Sequence, residues 1–282
     1  MRQFVVLFQV GLFFLASLAS ELVHAAAPPL IFGVFPNLSV KLPIETYRPV
    51  ADALQKQLGR PVELYSAPDF KTFVARTRLG EFDLVLTAPH LAWLARQDAG
   101  YRPLLKYANP VHGVLIVKAD SPIQTLAQLR GKHIATADPL AVVVMAMQSQ
   151  IHALGLTPGK DLEMTNAQSH NNAAMQAFNG VADAAVLGAQ PYRRLPAEVQ
   201  AGLRILAETP PLSSQVYLTH PRIRDVQAQA IRQALLAYAA APAGQAFMER
   251  GGFGGLVDLD GRELRAFKPY AQEAEWVLKT VR

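Results

Sequence analysis

The run Gly80-Glu81-Phe82-Asp83-Leu84-Val85-Leu86-Thr87-Ala88-Pro89-His90-Leu91 constrains the fold more than any other stretch of this sequence. A turn glycine opens it. Leu84 to Thr87 is then apolar but for one small hydroxyl, the profile of a strand buried on both faces. The strand stops at Ala88-Pro89. Pro89 suits the first turn of a helix, whose apolar side carries Leu91, Trp93 and Leu94. A buried parallel strand that hands over to a helix N-terminus is where open α/β sheets place ligands. Thr87 and His90 are therefore candidate ligand residues, and the rest of the chain must supply an opposing wall.

The flanking sequence repeats the strand-helix alternation. Leu30 to Phe35 reads as a strand. Glu45 to Leu58 reads as an amphipathic helix with Tyr47, Val50, Ala51, Leu54 and Leu58 on one side. Val62 to Tyr65 is the next strand, and a helix runs from about Phe70 to Leu79 with Asp69 as its N-cap. Short links between these elements predict a mainly parallel sheet with right-handed crossovers. Arg102 to Ala108 and Val111 to Lys118 are two further strands. The alternation then restarts: strand His133 to Thr136, helix Pro139 to Leu154, strand Leu162 to Thr165, helix Asn171 to Phe178, strand Ala182 to Leu187, strand Arg204 to Ala207. Gln215 to Leu218 is a last short strand, followed by a helix over Ile223 to Tyr238. Gly251 to Gly255 reads as a flexible loop. A final helix lies within Leu264 to Val281, with Trp276 as its core anchor. The two separate βα runs are the only internal echo and predict an α/β protein, with length enough for one large domain or two lobes.

The first 25 residues stand apart from this pattern. Arg2, an apolar stretch over Val5 to Leu18 and the small-residue site Val23-His24-Ala25 have the form of a secretory signal, with cleavage expected before Ala26 and export to the periplasm. The apolar run is shorter than the roughly 20 residues that a spanning helix needs. The whole chain has 282 residues, no cysteine and a formal charge of +5. A core of this size holds without disulfides. The positive charge forms no basic run, which excludes nucleic acid as the expected partner. An enzyme needs an activated nucleophile or a metal. There is no cysteine and no Gly-x-Ser-x-Gly elbow, so no enzymatic activity is expected.

Several segments carry a resemblance. Ala67-Pro68-Asp69-Phe70, Gly80-Glu81-Phe82-Asp83-Leu84, Lys118-Ala119-Asp120-Ser121-Pro122-Ile123, Leu126-Ala127-Gln128-Leu129-Arg130-Gly131-Lys132, Ala137-Asp138-Pro139 and Asn179-Gly180-Val181-Ala182-Asp183 stand in an ordered set. In order and spacing this set resembles the phosphate/phosphite/phosphonate-binding proteins of ABC transporters, over about Leu30 to Val281. The resemblance implies a type II periplasmic-binding-protein fold: two α/β lobes joined by two crossing strands and closing over a small ligand. The implied layout is lobe 1 over 26–111 and 218–282 and lobe 2 over 112–217, with crossings near Pro110 to Lys118 and Pro211 to Leu218. In the family, hydroxyl side chains follow the Asp-Pro turn at a helix N-terminus and bind oxyanion oxygens. Here the run after Asp138-Pro139 is Leu140-Ala141-Val142-Val143-Val144, so only main-chain donors remain. Through the same resemblance, His170 matches the family's second-lobe histidine, Tyr47 a first-helix tyrosine, and Thr87 the place of an aromatic residue.

Strand-to-helix switches supply the other candidates: Asn37, Asp138, Asn171, Gln190 and Tyr192, with Phe35 at the end of the first strand and His112 beside a crossing. Val142 contributes an apolar wall. The three imidazoles lack tight metal-ligand spacing, so no metal is expected, and nothing calls for a cofactor. The expected ligand is a small molecule, less charged or partly apolar, or an anion held by main chain and imidazole. The expected partner is an inner-membrane ABC permease, with a membrane sensor kinase as the alternative, and the protein is expected to be a monomer.

Overall fold

A computed structural model describes residues 27–36, 41–259 and 261–280. The expected signal segment and Asn37 lie outside the described residues. Strands β1 (Leu30–Val34), β2 (Val62–Tyr65) and β3 (Leu84–Thr87) alternate with helices α1 (Lys41–Leu58), α2 (Phe70–Arg78) and α3 (Pro89–Ala99), and β4 (Arg102–Tyr107) follows. The chain then leaves this lobe. The second lobe holds β5 (Gly113–Lys118), a single 3-10 turn (Leu126–Leu129), β6 (His133–Thr136), α4 (Val142–Ala153), β7 (Glu163–Asn166), α5 (His170–Phe178), β8 (Ala184–Gly188), α6 (Ala189–Arg193), α7 (Ala197–Ala201) and β9 (Leu203–Glu208). The return segment is β10 (Val216–Thr219), α8 (Asp225–Ala240), α9 (Pro242–Gly251), β11 (Leu256–Val257), α10 (Gly261–Arg265) and α11 (Lys268–Thr280).

Two sheets result. The first has the order β11-β4-β10-β3-β1-β2 and the second β7-β6-β8-β5-β9. Each holds one parallel trio, β2-β1-β3 and β7-β6-β8. The sheets are mixed rather than mainly parallel. Strand β10 inserts antiparallel between β3 and β4, and β5 pairs antiparallel with β8 and β9. Strands that have just crossed between lobes enter their sheets in the opposite direction. Val216 pairs with Thr87 and Tyr217 with Leu86, so these two residues belong to the first sheet although the sequence reading put them in the second lobe. Residues Val111 and Leu212 mark the crossing. Each donates its N–H to the other's carbonyl at 2.9 Å.

Apolar runs without alternation became strands buried on both faces, as two helical layers require. On β5, Leu115 and Val117 face Val144, Met147 and Ile151, while Val114 and Ile116 face Ala173, Ala174 and Ala177. In the first lobe, Tyr47, Val50, Ala51 and Leu54 of α1 join Ile231 and Leu235 of α8 in the core. Asp83 is buried at the start of β3. Its carboxylate is satisfied by the Ile31 N–H at 2.8 Å and the Arg222 Nε at 2.6 Å.

Two expectations about the C-terminal part are overturned. Trp276 is 64 % exposed, because α11 buries Ala271, Ala274 and Val277 instead. The glycine-rich segment is held in place: Ala108 and Asn109 donate their N–H groups to the Gly255 and Phe253 carbonyls, and Phe253 stacks on Tyr107 with 4.0 Å between ring centres.

Candidate functional site

The lobes face each other across one cleft of about 1310 Å³. Phe35, Tyr47, Phe70 and Pro89 line it from the first lobe. Asp138, Val142, Val143, His170, Asn171 and Gln190 line it from the second, and His112, Asn109 and Ser213 from the crossing segments.

The second-lobe wall is built around the start of α5. Ser169 takes an extended N-cap conformation, and its hydroxyl accepts the Asn172 N–H at 3.1 Å. The first N–H groups of a helix have no intrahelical partner and carry the positive end of its dipole. His170 and Asn171 thus present main-chain donors as well as side chains to the cleft. The Gly188 N–H donates to His170 Nδ1 at 3.2 Å, which leaves the ring hydrogen on Nε2. Burial pushes this imidazole down to about 4, so at neutral pH it is an uncharged hydrogen-bond donor. Gln168, just before the cap, has φ of +68°, a conformation that costs a non-glycine residue of the order of 1 kcal/mol. This is the only such residue among the described ones.

The start of α4 is a second corner on this wall. Val142 and Val143 line the cleft, and Val144 is fully buried. Asp138 accepts the Leu140 N–H at 2.7 Å. Burial raises the Asp138 carboxyl, the Leu140 N–H opposes the rise, and Asp69 across the cleft adds to it.

The first-lobe wall differs from the sequence expectation at two residues. Thr87 is 1 % exposed and turned away from the cleft, toward Phe73, Val74 and Leu91 behind the sheet. Strand side chains alternate, so Ala88 faces the cleft and Thr87 does not. His90 is fully buried. Pro89 lines the cleft, and the next residue of the helix, about 100° around the axis, points into the protein. There His90 Nε2 donates to the Leu140 carbonyl of the opposite lobe at 3.0 Å. Its Nδ1 has no partner among the described residues. Burial pushes this imidazole down to about 4, against the smaller pull of the carbonyl. Tyr47 borders the cleft with its ring while its hydroxyl joins a buried phenol group. There the Tyr107 and Tyr217 hydroxyls lie 2.7 Å apart.

Tyr192 also leaves the site. Gln190 and Arg193 share one face of α6 and line the cleft, which puts Tyr192 on the other face, packed against Leu195 and its neighbours. Phe35, Tyr47, His112, Asp138, Val142, His170, Asn171 and Gln190 are brought together in one cleft, and Thr87, His90 and Tyr192 are not. Among the described residues no group of three His, Asp or Glu side chains has metal-binding geometry.

Sequence reasoning missed three arginines that line the cleft: Arg193 and Arg194 from the end of α6 and Arg250 from the end of α9. It also missed the contacts between the lobes there. The Gln190 side-chain amide donates to the Gly251 carbonyl, and the Arg194 guanidinium donates to the Arg250 carbonyl. Both carbonyls lie in the last turn of a helix, where they have no intrahelical partner. The available signal was the pair Arg193-Arg194 just after the candidate Gln190.

Two α/β lobes joined by two crossing segments over a large cleft define the architecture of a protein that binds a solute between its lobes. Solved structures on this fold agree. A binding-protein component of an ABC phosphonate transporter from Pseudomonas aeruginosa matches with a TM-score of 0.77 at 18% identity, covering 90% of both chains. PhnD1 from Prochlorococcus marinus, in complex with methylphosphonate, matches with a TM-score of 0.77 at 13% identity, covering 88% of this chain and 98% of that one. A Xanthomonas citri protein bound to ATP matches with a TM-score of 0.75 at 21% identity, covering 91% and 100%. The family model described as ABC transporter, phosphonate, periplasmic substrate-binding protein matches residues 32–264. The chain belongs to this family of periplasmic solute-binding proteins, whose members are binding components of ABC transporters and not enzymes.

Proposed function

We propose that this protein captures a small organic oxyanion in the cleft, closes its lobes over it and delivers it to an inner-membrane ABC permease. One observation carries the reading. The start of α5 is capped by the uncharged Ser169, so the His170 and Asn171 N–H groups, the His170 Nε2–H and the Asn171 side chain stay available on the cleft wall. A helix N-terminus with added neutral donors is an anion site. Val142 and Val143 stand where the family has hydroxyls, so the oxyanion is held at α5 and the α4 corner takes an apolar part of the ligand. The fold admits such ligands in relatives, which are solved with methylphosphonate and with ATP.

Calorimetry with phosphate, methylphosphonate, an alkylsulfonate and a neutral alkyl amide tests the reading. The anions are expected to bind, and His170→Ala to weaken each by about tenfold, the worth of one hydrogen bond to a charged group. Binding of the neutral amide alone would overturn it.

A further inference from the structure

The cleft is electrically uneven. Asp69 and Asp138 lie close enough to interact and form an acidic end, and Arg194, bonded to the Arg250 carbonyl, forms a basic end with Arg193 and Arg250. The acidic end repels an anion. Asp69 and burial both disfavour a charged Asp138, and no arginine is close enough to counter them. The basic end has the opposite character. Arg76, Arg78, Arg102, Arg222 and Arg232 each hold an aspartate or glutamate. Arg193, Arg194 and Arg250 hold no carboxylate among the described residues. Arg194 is fixed by the Arg250 carbonyl, which brings the end of α6 in one lobe onto the end of α9 in the other.

This basic end adjoins the site of the proposed function. His170 bonds to the Gly188 N–H, and Gly188 is the N-cap of α6, the helix that carries Arg193. The cleft, at about 1310 Å³, also exceeds what a one-carbon phosphonate fills, since pockets for drug-sized ligands run to roughly 1,000 Å³.

Building on the proposed oxyanion site, we infer that the ligand carries more than one anionic group: one at His170 and Asn171, and a further one held by Arg193, Arg194 and Arg250. Its class is an organic polyphosphate or a comparable multiply charged ester. Arginine suits this task because its planar donors match phosphate oxygens in pairs. The arginines come from both lobes, so the second anionic group is gripped fully only when the lobes are together. A singly charged ligand reaches the α5 site and leaves the arginines empty.

Isothermal titration calorimetry on the purified protein tests this, with methylphosphonate, tripolyphosphate and ATP as probes. Tripolyphosphate and ATP are each expected to bind at least about tenfold more tightly than methylphosphonate, with the gap closing as NaCl is raised. The double variant Arg193→Gln, Arg250→Gln is expected to lose about tenfold or more toward the polyphosphates and stay within about twofold toward methylphosphonate. Arg194 is left in place because it also holds the Arg250 carbonyl. An unchanged unliganded Tm shows that the double variant is folded. If methylphosphonate binds and the polyphosphates bind no better, this inference fails while the oxyanion reading stands. The inference also fails if the double variant weakens all three probes equally. If no phosphate of any length binds, both readings fall. If ATP binds tightly and tripolyphosphate does not, the organic part is required and the arginine site alone is insufficient, which overturns the inference as stated.

Discussion

Helices α2 and α5 occupy the same place in the two lobes, each between the second and third strands of its parallel trio. Each has nine residues. Their caps nearly coincide: Asp69 at φ −151°, ψ 167° and Ser169 at φ −151°, ψ 157°. Asp69 accepts the Thr72 N–H at 2.6 Å, as Ser169 accepts that of Asn172. Each helix ends two residues before a glycine of positive φ, Gly80 at +69° and Gly180 at +73°. The backbone solution is one, and the charge on the cap is the difference. A carboxylate at Asp69 cancels the positive end of α2, while a hydroxyl at Ser169 leaves that of α5 exposed to the cleft. The starts of these two helices therefore offer a ligand unlike corners, one with a carboxylate and the Phe70 ring, the other with a set of neutral donors. The same contrast extends to their imidazoles. The first lobe buries His90 against the other lobe's Leu140, and the second presents His170 to the cleft.

The largest expected effect separates the two imidazoles. Both are pushed from 6.5 down to about 4 by burial. Their folded values lie below their unfolded ones, so the stability they confer is complete above pH 6.5 and is lost as pH falls toward 4. For His90 the full drop is worth about 3 kcal/mol. Urea denaturation at pH 7.5 and pH 4.5 measures it. His90→Leu is expected to be less stable at pH 7.5, through loss of the bond to Leu140, yet to lose less on acidification. Saturating methylphosphonate should shrink the His170 share, because an anion there favours the protonated ring, and leave the His90 share intact. An acid loss in His90→Leu equal to that of the parent would show that His90 is not the titrating group.

Next in size is the exchange of caps. Ser169→Asp gives α5 the cap that α2 has. It is expected to weaken methylphosphonate binding by about 30-fold, about 2 kcal/mol, by placing a carboxylate on the oxyanion site. Asp69→Asn removes a charge from the opposing wall and should strengthen binding by about twofold to threefold. Calorimetry on the two variants reads both signs. Equal effects from the two substitutions would end the distinction between the walls.

The backbone part of this comparison was legible in sequence and much of the side-chain part was not. The apolar runs Leu84–Thr87 and Ala182–Leu187, the Asp69 cap and the apolar face of α1 each follow from local rules about burial and spacing. The insertion of β10 between β3 and β4 does not, because it pairs residues more than 100 apart in the chain and has no local signature. The short helices α6 and α7, of five residues each, fall below the length at which periodicity shows. Thr87, His90 and Tyr192 were assigned to the right corners and the wrong directions. One residue of slip turns a strand side chain through the sheet and a helical one through 100°, and only tertiary packing settles such a choice. The arginine end escaped notice for a related reason: Arg193 and Arg194 are far in sequence from Arg250, and only the packing of the two lobes puts them in one cleft.

The glycines that follow α2 and α5 test how far the likeness extends beyond the caps. Both have positive φ, so an alanine costs about 1 kcal/mol at either place. A Cβ on Gly180 meets nothing within 4 Å, whereas one on Gly80 comes 2.7 Å from His220 Nε2. That ring has little freedom, since it packs edge-on against Tyr101 and its Nδ1 accepts the Arg222 N–H. Gly80→Ala should thus cost about 1 kcal/mol more than Gly180→Ala in denaturant unfolding.

The smallest expected difference lies in what the two caps contribute to stability. Removing the side-chain acceptor by Asp69→Ala or Ser169→Ala leaves an N–H of the first turn unbonded and costs about 1 kcal/mol in each case. Asp69 also places a full negative charge at the positive end of α2, worth about 0.3–1 kcal/mol at low salt. Asp69→Ala should therefore be the more destabilising of the two by that margin, and 0.5 M NaCl, screening the charge term alone, should bring the pair together. Should the gap persist in salt, the extra stability at Asp69 comes from packing instead of charge. The Asp69 charge would then be too weak at the start of α2 to account for an anion-repelling first-lobe wall.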